Sequence, residues 1–281
     1  MVQKAERVNA PQLSGRTSGA RQGRPVGNVT RGTTNPNRMR RVDRWLAGPQ
    51  GWRLESAADP LVVDLGYGAS PATAVELFER LSAVRQDVRL CGVEIEPERV
   101  QAARALERPG LSFLLGGFEI PVPGNPVLVR AFNVLRQYEE ADVGGIWRLV
   151  QDRLAPDGLF IDGTCDEIGR RVTWIALDSD RPLTLSMSMR FGSFELPSEV
   201  AERLPKALIH RNVPGEPIHA LLQAMDRAWL ESAALAAFGN RQRWTAMCRM
   251  LRDGGWPVHD GPSRWRLGEL TVGWEAVAPQ V

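Results

Sequence analysis

The chain is poor in the residues from which metal sites and covalent staples are built. Its three cysteines, Cys91, Cys165 and Cys248, form no CxxC pair, so neither a disulfide framework nor a structural zinc site is indicated. Three histidines, His210, His219 and His259, are too scattered for a His-rich cluster, and no metal is expected. Only Lys4 and Lys206 are lysines, so arginine carries nearly all the positive charge. No run approaches the roughly 18 to 20 uncharged apolar residues that a membrane helix needs, and the Arg- and Gly-dotted N-terminus lacks the apolar centre of a secretory signal. A soluble cytoplasmic protein with no membrane partner is the expectation. What is present, 43% hydrophobic and 24% charged residues in a chain of 281, suffices for one substantial core and at most two domains.

The net charge of +2 hides an asymmetry. Residues 1–53 hold eleven Lys or Arg against two acids, Glu6 and Asp43, a net +9, and the remainder carries −7. Residues 1–37 show no apolar periodicity and are rich in Gly, Arg, Asn, Ser and Thr. Such a segment cannot bury enough surface to offset its ordering entropy, and it reads as a disordered basic arm. A basic arm is a candidate contact for RNA or another polyanion, since each neutralised phosphate releases counterions. A merely solvated tail explains the composition equally well.

Asn35 and Pro36 read as the start of a helix over 35–47 with Met39, Val42, Trp45 and Leu46 at helical spacing, and Gly48 ends it. From Leu61 short apolar runs alternate with longer amphipathic stretches, the pattern of a parallel sheet covered by helices on both faces. Strands are expected near 61–65, 88–94, 111–115, 127–132 and 159–163. The clearest helix is near 140–154, with Val143, Ile146, Trp147, Val150 and Leu154 on one face. Over about 170–216 the alternation is interrupted by an insertion, in which 172–177 and 183–189 read as a β-hairpin. Trp174 and the Met187–Met189 stripe read as packed strand faces. Two helices follow, anchored by Ile218, Leu221, Leu222, Met225 and Trp229 and by Trp244, Met247, Cys248 and Leu251, and 267–277 reads as a closing strand. Residues 38–281 are therefore expected to form one α/β domain.

The most informative segment is Val62-Val63-Asp64-Leu65-Gly66-Tyr67-Gly68-Ala69-Ser70-Pro71, a strand ending in an acid, then a glycine turn, then a helix. In open α/β sheets ligands bind outside the carboxyl ends of the strands, and glycine lets the backbone approach a ligand closely. A dinucleotide fingerprint would want a third glycine where Pro71 stands. The segment resembles the first motif of the class I S-adenosylmethionine-dependent methyltransferases, an acid followed by x-G-x-G-x-x-P. Strand two ends in Gly92-Val93-Glu94-Ile95-Glu96-Pro97, similar to the family segment whose acid binds the ribose hydroxyls. A carboxylate there accepts two hydrogen bonds from a vicinal diol.

The resemblance covers about residues 58–166 and returns at 245–277. It implies a Rossmann-like sheet of order 3-2-1-4-5-7-6 with an antiparallel last strand, S-adenosylmethionine as cofactor and S-adenosylhomocysteine as product. By the same analogy Asp64 and the backbone at Gly66 and Gly68 hold the methionine end of the cofactor and Glu94 the ribose, with Tyr67, Ile95 and Phe118 also among the cofactor-binding residues. Where the family often carries an acid after strand three, this chain has Gly116-Gly117-Phe118-Glu119; Phe118 packing on adenine and Glu119 reaching it both remain open.

Methyl transfer from a sulfonium is an in-line displacement that needs alignment and exclusion of water before it needs a base. The end of strand four should face the transferred group, which makes Asn133 the candidate for positioning there and against the cofactor, and Arg136 and Tyr138 for orienting the acceptor. Asp162, Asp166 or Glu167, in or after strand five, is a candidate carboxylate for the cleft. The Asn-Pro-Pro-Tyr signature of base amino methylases is absent. The acceptor, RNA or a small molecule, is open, as is the oligomeric state. A non-catalytic binding or scaffold protein on the same fold is the alternative.

Overall fold

The computed structural model describes residues 25–29 and 35–280. Its centre is one eight-stranded sheet: β1 (Leu61–Leu65), β2 (Arg89–Glu94), β3 (Leu111–Leu115), β4 (Leu128–Phe132), β5 (Leu159–Cys165), β6 (Arg171–Leu177), β7 (Pro182–Met189) and β8 (Glu269–Gly273), in the spatial order β3-β2-β1-β4-β5-β6-β7-β8. The helices are α1 (Arg40–Ala47), α2 (Gly51–Ser56), α3 (Ala72–Ser82), α4 (Pro97–Ala103), α5 (Glu140–Gln151), α6 (Lys206–Ile209), α7 (Pro217–Glu231), α8 (Asn240–Asp253) and α9 (Pro262–Trp265). Strand residues alternate between two cores. Leu61, Val63, Val129, Phe160, Ile175 and Met187 face α5, α7 and α8. Val62, Leu128, Ile161 and Trp174 face α1, α3 and α4. The result is a Rossmann-like sheet covered on both sides.

β1 to β5 are parallel, as the sequence pattern predicts. Past β5 the order differs from 3-2-1-4-5-7-6. The hairpin is no insertion beside the sheet; β6 pairs antiparallel with β5, β7 with β6, and β8 with β7. The reason is connection length. Only residues 166–170 join β5 to β6, too few for the crossover a parallel neighbour needs. Asp166 fixes that turn by accepting from the amides of Ile168 (3.3 Å) and Arg170 (2.8 Å), and Asp178 fixes the next one by accepting from those of Asp180 and Arg181 (both 2.8 Å). Asp166 therefore shapes a hairpin through its Oδ1. The long excursion through α7 and α8 then returns the chain as β8 on the outer edge.

The N-terminal helix begins at Arg40, not Asn35, because Asn37 adopts a left-handed φ of 60°. Its backbone amide donates to Glu76 (2.7 Å) and its side-chain oxygen accepts from Arg80 (3.1 Å). The disordered reading of the arm fails for residues 25–29 and 35–37, which are held against the body by hydrogen bonds. For residues 1–24 and 30–34 that reading lies outside the described residues.

A buried ion network ties α1 to the sheet. Arg130, 1% exposed on β4, donates from Nε and Nη2 to the two oxygens of Asp64 on β1 (2.8 Å each). Its Nη1 donates to Asp43 of α1, whose other oxygen meets Arg80 of α3 at 3.0 Å. Nη2 also donates to the Thr73 carbonyl (3.0 Å). Burial pushes the Asp43 carboxyl up to about 6 against the pull of Arg130 and Arg80. A third acid is buried outside this network. Asp162, on β5 under α5, accepts from Trp147 Nε1 (3.0 Å), and burial pushes its carboxyl up to about 7. It is a core group, and neither Asp162 nor Asp166 is in the lining of the cleft at the ends of β1 to β4.

Replacing Arg130 with Met strands two buried carboxylates and is expected to cost about 3–5 kcal/mol in urea denaturation. A loss below about 1 kcal/mol, the level of an exposed pair, would refute the network's role. For Asp162 the raised folded value means that the native state holds the proton longer than the unfolded chain does. Its contribution to stability therefore falls as pH rises from about 4 to about 7. Asp162→Asn should gain on the wild type by about 2–3 kcal/mol between pH 5 and pH 8 in chemical denaturation. An unchanged difference across that range would remove Asp162 as the cause.

Candidate functional site

The carboxyl ends of β1 to β4 enclose a cleft lined by Leu65, Gly66, Glu94, Ile95, Gly116, Gly117, Phe118, Val134 and Tyr138. Its floor is the glycine turn after β1. Gly66 and Gly68 have φ of 69° and 82°, which side chains rarely adopt, and the Gly66 amide donates to the Val93 carbonyl at 2.7 Å. The register pairs Leu65 with Val93, so Glu94 lies one residue past the end of β1 and faces the turn. Its carboxylate accepts from the amide of Gly68 (2.8 Å) and from those of Ile95 (3.0 Å) and Glu96 (3.3 Å). Arg99 stands 3.6 Å from it.

The far wall is the turn after β3. The Gly116 amide donates to the Glu94 carbonyl (3.0 Å) and the Gly117 amide to Glu119 Oε1 (2.9 Å). The Phe118 ring is 2% exposed and meets the Tyr138 ring edge-on at 5.4 Å. Together with Leu65, Ile95 and Val134 these rings give an apolar slot with polar groups at its rim. Burial raises the Tyr138 hydroxyl above its ordinary value, so it stays protonated at neutral pH.

Five residues expected at the site, Gly66, Glu94, Ile95, Phe118 and Tyr138, line this cleft together, and the Gly68 amide meets Glu94 beneath it. Four others are placed differently. Both oxygens of Asp64 accept from Arg130, which commits the carboxylate to the helix layer. The Tyr67 ring packs on Phe113 at 5.4 Å, 3% exposed, so only its backbone belongs to the turn. Asn133, at φ 58°, spends its side chain on the β4–β5 junction: Oδ1 accepts from the Cys165 amide (3.0 Å) and Nδ2 donates to Cys165 Sγ (3.4 Å). Arg136 donates to the Glu202 carbonyl at 2.9 Å, outside the cleft lining.

The sequence reading missed the cleft's remaining occupant, the chain's own residues Val26, Gly27 and Asn28. The Val26 carbonyl accepts from the Phe118 amide (2.9 Å), and the Val26 amide donates to Glu119 Oε2 (2.8 Å). The Asn28 amide donates to the Tyr138 hydroxyl (2.5 Å). With that segment in place the cavity is about 20 Å³, room for one water. No periodicity or motif in Pro25-Val26-Gly27-Asn28 signals this.

Among the described residues no group of three or more His, Cys, Asp or Glu is arranged to hold a metal, and no helix is long and apolar enough to cross a membrane. No family model matches the chain, and no curated protein matches it either. Solved structures similar to part of it include LepI in complex with SAM, at 20% identity over 41% of this chain and 30% of LepI, with a TM-score of 0.35. The mitomycin 7-O-methyltransferase MmcR is 20% identical over 44% of this chain and 36% of its own, with a TM-score of 0.33. The plantazolicin methyltransferase BamL, in complex with a triazolic desmethylPZN analog and SAH, is 14% identical over 45% and 46%, with a TM-score of 0.35. The chain thus spans less than half the length of each of these three proteins, and likenesses this partial leave its activity to be argued from its own cleft.

Proposed function

We propose that this protein is an S-adenosylmethionine-dependent methyltransferase whose cofactor site is the cleft at the carboxyl ends of β1 to β4. The observation that carries the reading is Glu94, a buried carboxylate at the end of β2 set against a positive-φ glycine turn at the end of β1. An acceptor-only group at that place is suited to a ribose diol. The donor set at the far wall agrees with an adenosine group: the Phe118 amide and the Glu119 carboxylate give one donor and one acceptor side by side, the complement of a purine edge bearing a ring nitrogen and an amino group. A Cβ at Gly117 would overlap the backbone that now lies there, so glycine keeps that surface open.

Such a cofactor, when bound, supplies a methyl carbon on a positively charged sulfur, open to direct displacement. The chain's own part is to bind and align. Glu94 anchors the sugar, the Gly66–Gly68 turn admits the cofactor's backbone-hugging end, and the Phe118 and Tyr138 rings keep water from the base. Tyr138, whose hydroxyl burial raises above its ordinary value, serves as a hydrogen-bonding group, not as a base. Asn133 acts one step back, by fixing where β4 ends against β5. The acceptor is a small molecule or RNA, and the excess of arginine before residue 53 makes RNA the first to try.

Calorimetric titration of the full chain with S-adenosylmethionine, S-adenosylhomocysteine and NAD tests the reading. The first two should bind and NAD should not. Glu94→Gln, checked for an unchanged melting transition, should weaken both by about 10- to 100-fold, the worth of a hydrogen bond to a charged acceptor. Equal affinity in wild type and variant, or no binding at all, would reject this cleft as the cofactor site.

A further inference from the structure

We propose that Val26–Asn28 is a built-in competitor for the nucleoside cleft, a strap that must leave before an adenosine-bearing cofactor binds. The inference rests on the function proposed above. An extended residue presents its N–H and C=O to the same side, as it does in a β-ladder. Val26 offers that donor and acceptor pair to Glu119 Oε2 (2.8 Å) and to the Phe118 amide (2.9 Å). These are the two groups suited to a purine edge, so the strap and the base need the same partners.

Space leads to the same conclusion. The cavity left beside the strap is about 20 Å³, whereas small-molecule pockets run to roughly 300–1,000 Å³. The strap lines that small remaining space with Val26, Gly27 and Asn28. Its fit depends on Gly27, at φ 147°, where a Cβ would stand 3.1 Å from the Tyr138 hydroxyl, 3.5 Å from Ile95 and 3.6 Å from Phe118.

Release is local. Val26 is 44% exposed, and among the described residues three backbone hydrogen bonds hold the strap to the cleft walls. Further along, the Asn35 side chain donates to the Glu167 carbonyl (2.9 Å) and Arg38 Nε to the Asp166 carbonyl (2.8 Å). That anchor persists when the strap opens and keeps it at high effective concentration near the cleft. Apparent cofactor affinity is then the intrinsic affinity reduced by the fraction of molecules whose strap is open.

Gly27→Val, in the full chain, places a β-branched residue at a φ it cannot adopt and alters no residue of the cleft wall; Val26→Pro removes the donor to Glu119 instead. Both should bind S-adenosylhomocysteine at least fivefold more tightly than wild type. Without ligand, both should speed hydrogen exchange at the Phe118 amide. In wild type, the ligand should speed exchange at the amides of Val26 to Asn28. Equal or weaker affinity in the variants, unchanged exchange at Phe118, or slower strap exchange with ligand would each overturn the strap while leaving the cofactor reading intact. If neither wild type nor variants bind S-adenosylhomocysteine, the functional reading fails and the strap's role falls with it.

Discussion

The arrangement depends on one buried guanidinium. Arg130 lies in the middle of the sheet, and the cost of removing a charge from water is met only if each of its donors finds a partner. Asp64 on the neighbouring strand supplies two oxygens, Asp43 on α1 a third and the Thr73 carbonyl a fourth. Four elements, β1, β4, α1 and α3, are thereby locked together. Next to α1, the side chains of Asn35 and Arg38 donate to the Glu167 and Asp166 carbonyls just past β5, while Val26 meets Glu119 in the turn after β3.

Two acids at the ends of adjacent strands have been given different work by one feature of the register. Asp64 pairs with Gly92 inside the ladder and points into the helix layer, where Arg130 claims it. Glu94 has no partner on β1 because that strand stops opposite Val93, so its carboxylate turns to the glycine loop. Of the two, only Glu94 stands in the cleft. The first motif read from the sequence therefore contributes its backbone turn to the cleft and its acid to the core.

Much of the fold was legible because burial writes a period into the chain. The five parallel strands read as short apolar runs, and the large buried apolar residues of α5, α7 and α8 were anticipated, although Leu154 falls just past the end of α5. The strand order beyond β5 was not legible from periodicity, since an antiparallel strand alternates in the same way whichever neighbour it has. The five-residue Asp166–Arg170 link did hold the answer, as it is too short for a crossover. The Arg130 network also left a trace: an arginine within the apolar run Leu128–Phe132, and an acid, Asp43, on the apolar face of α1. Each is a charge the fold was bound to pair. The roles of Tyr67 and Asn133 left none, because the same residue types at the same places serve a cleft or a core according to one rotamer.

The strap matters because binding equilibria are reciprocal. A segment that docks in a ligand's place lowers that ligand's affinity by the factor by which the ligand loosens the segment. The segment here belongs to the basic N-terminal stretch, and its seat is the wall of the cleft itself. Whatever holds Val26–Asn28 away from the cleft raises the apparent affinity of the proposed nucleoside site, and filling that site frees those residues. Val26–Asn28 and the cleft at the carboxyl edge of the sheet are thus coupled through the backbone hydrogen bonds between them, without any rearrangement of the sheet that carries them.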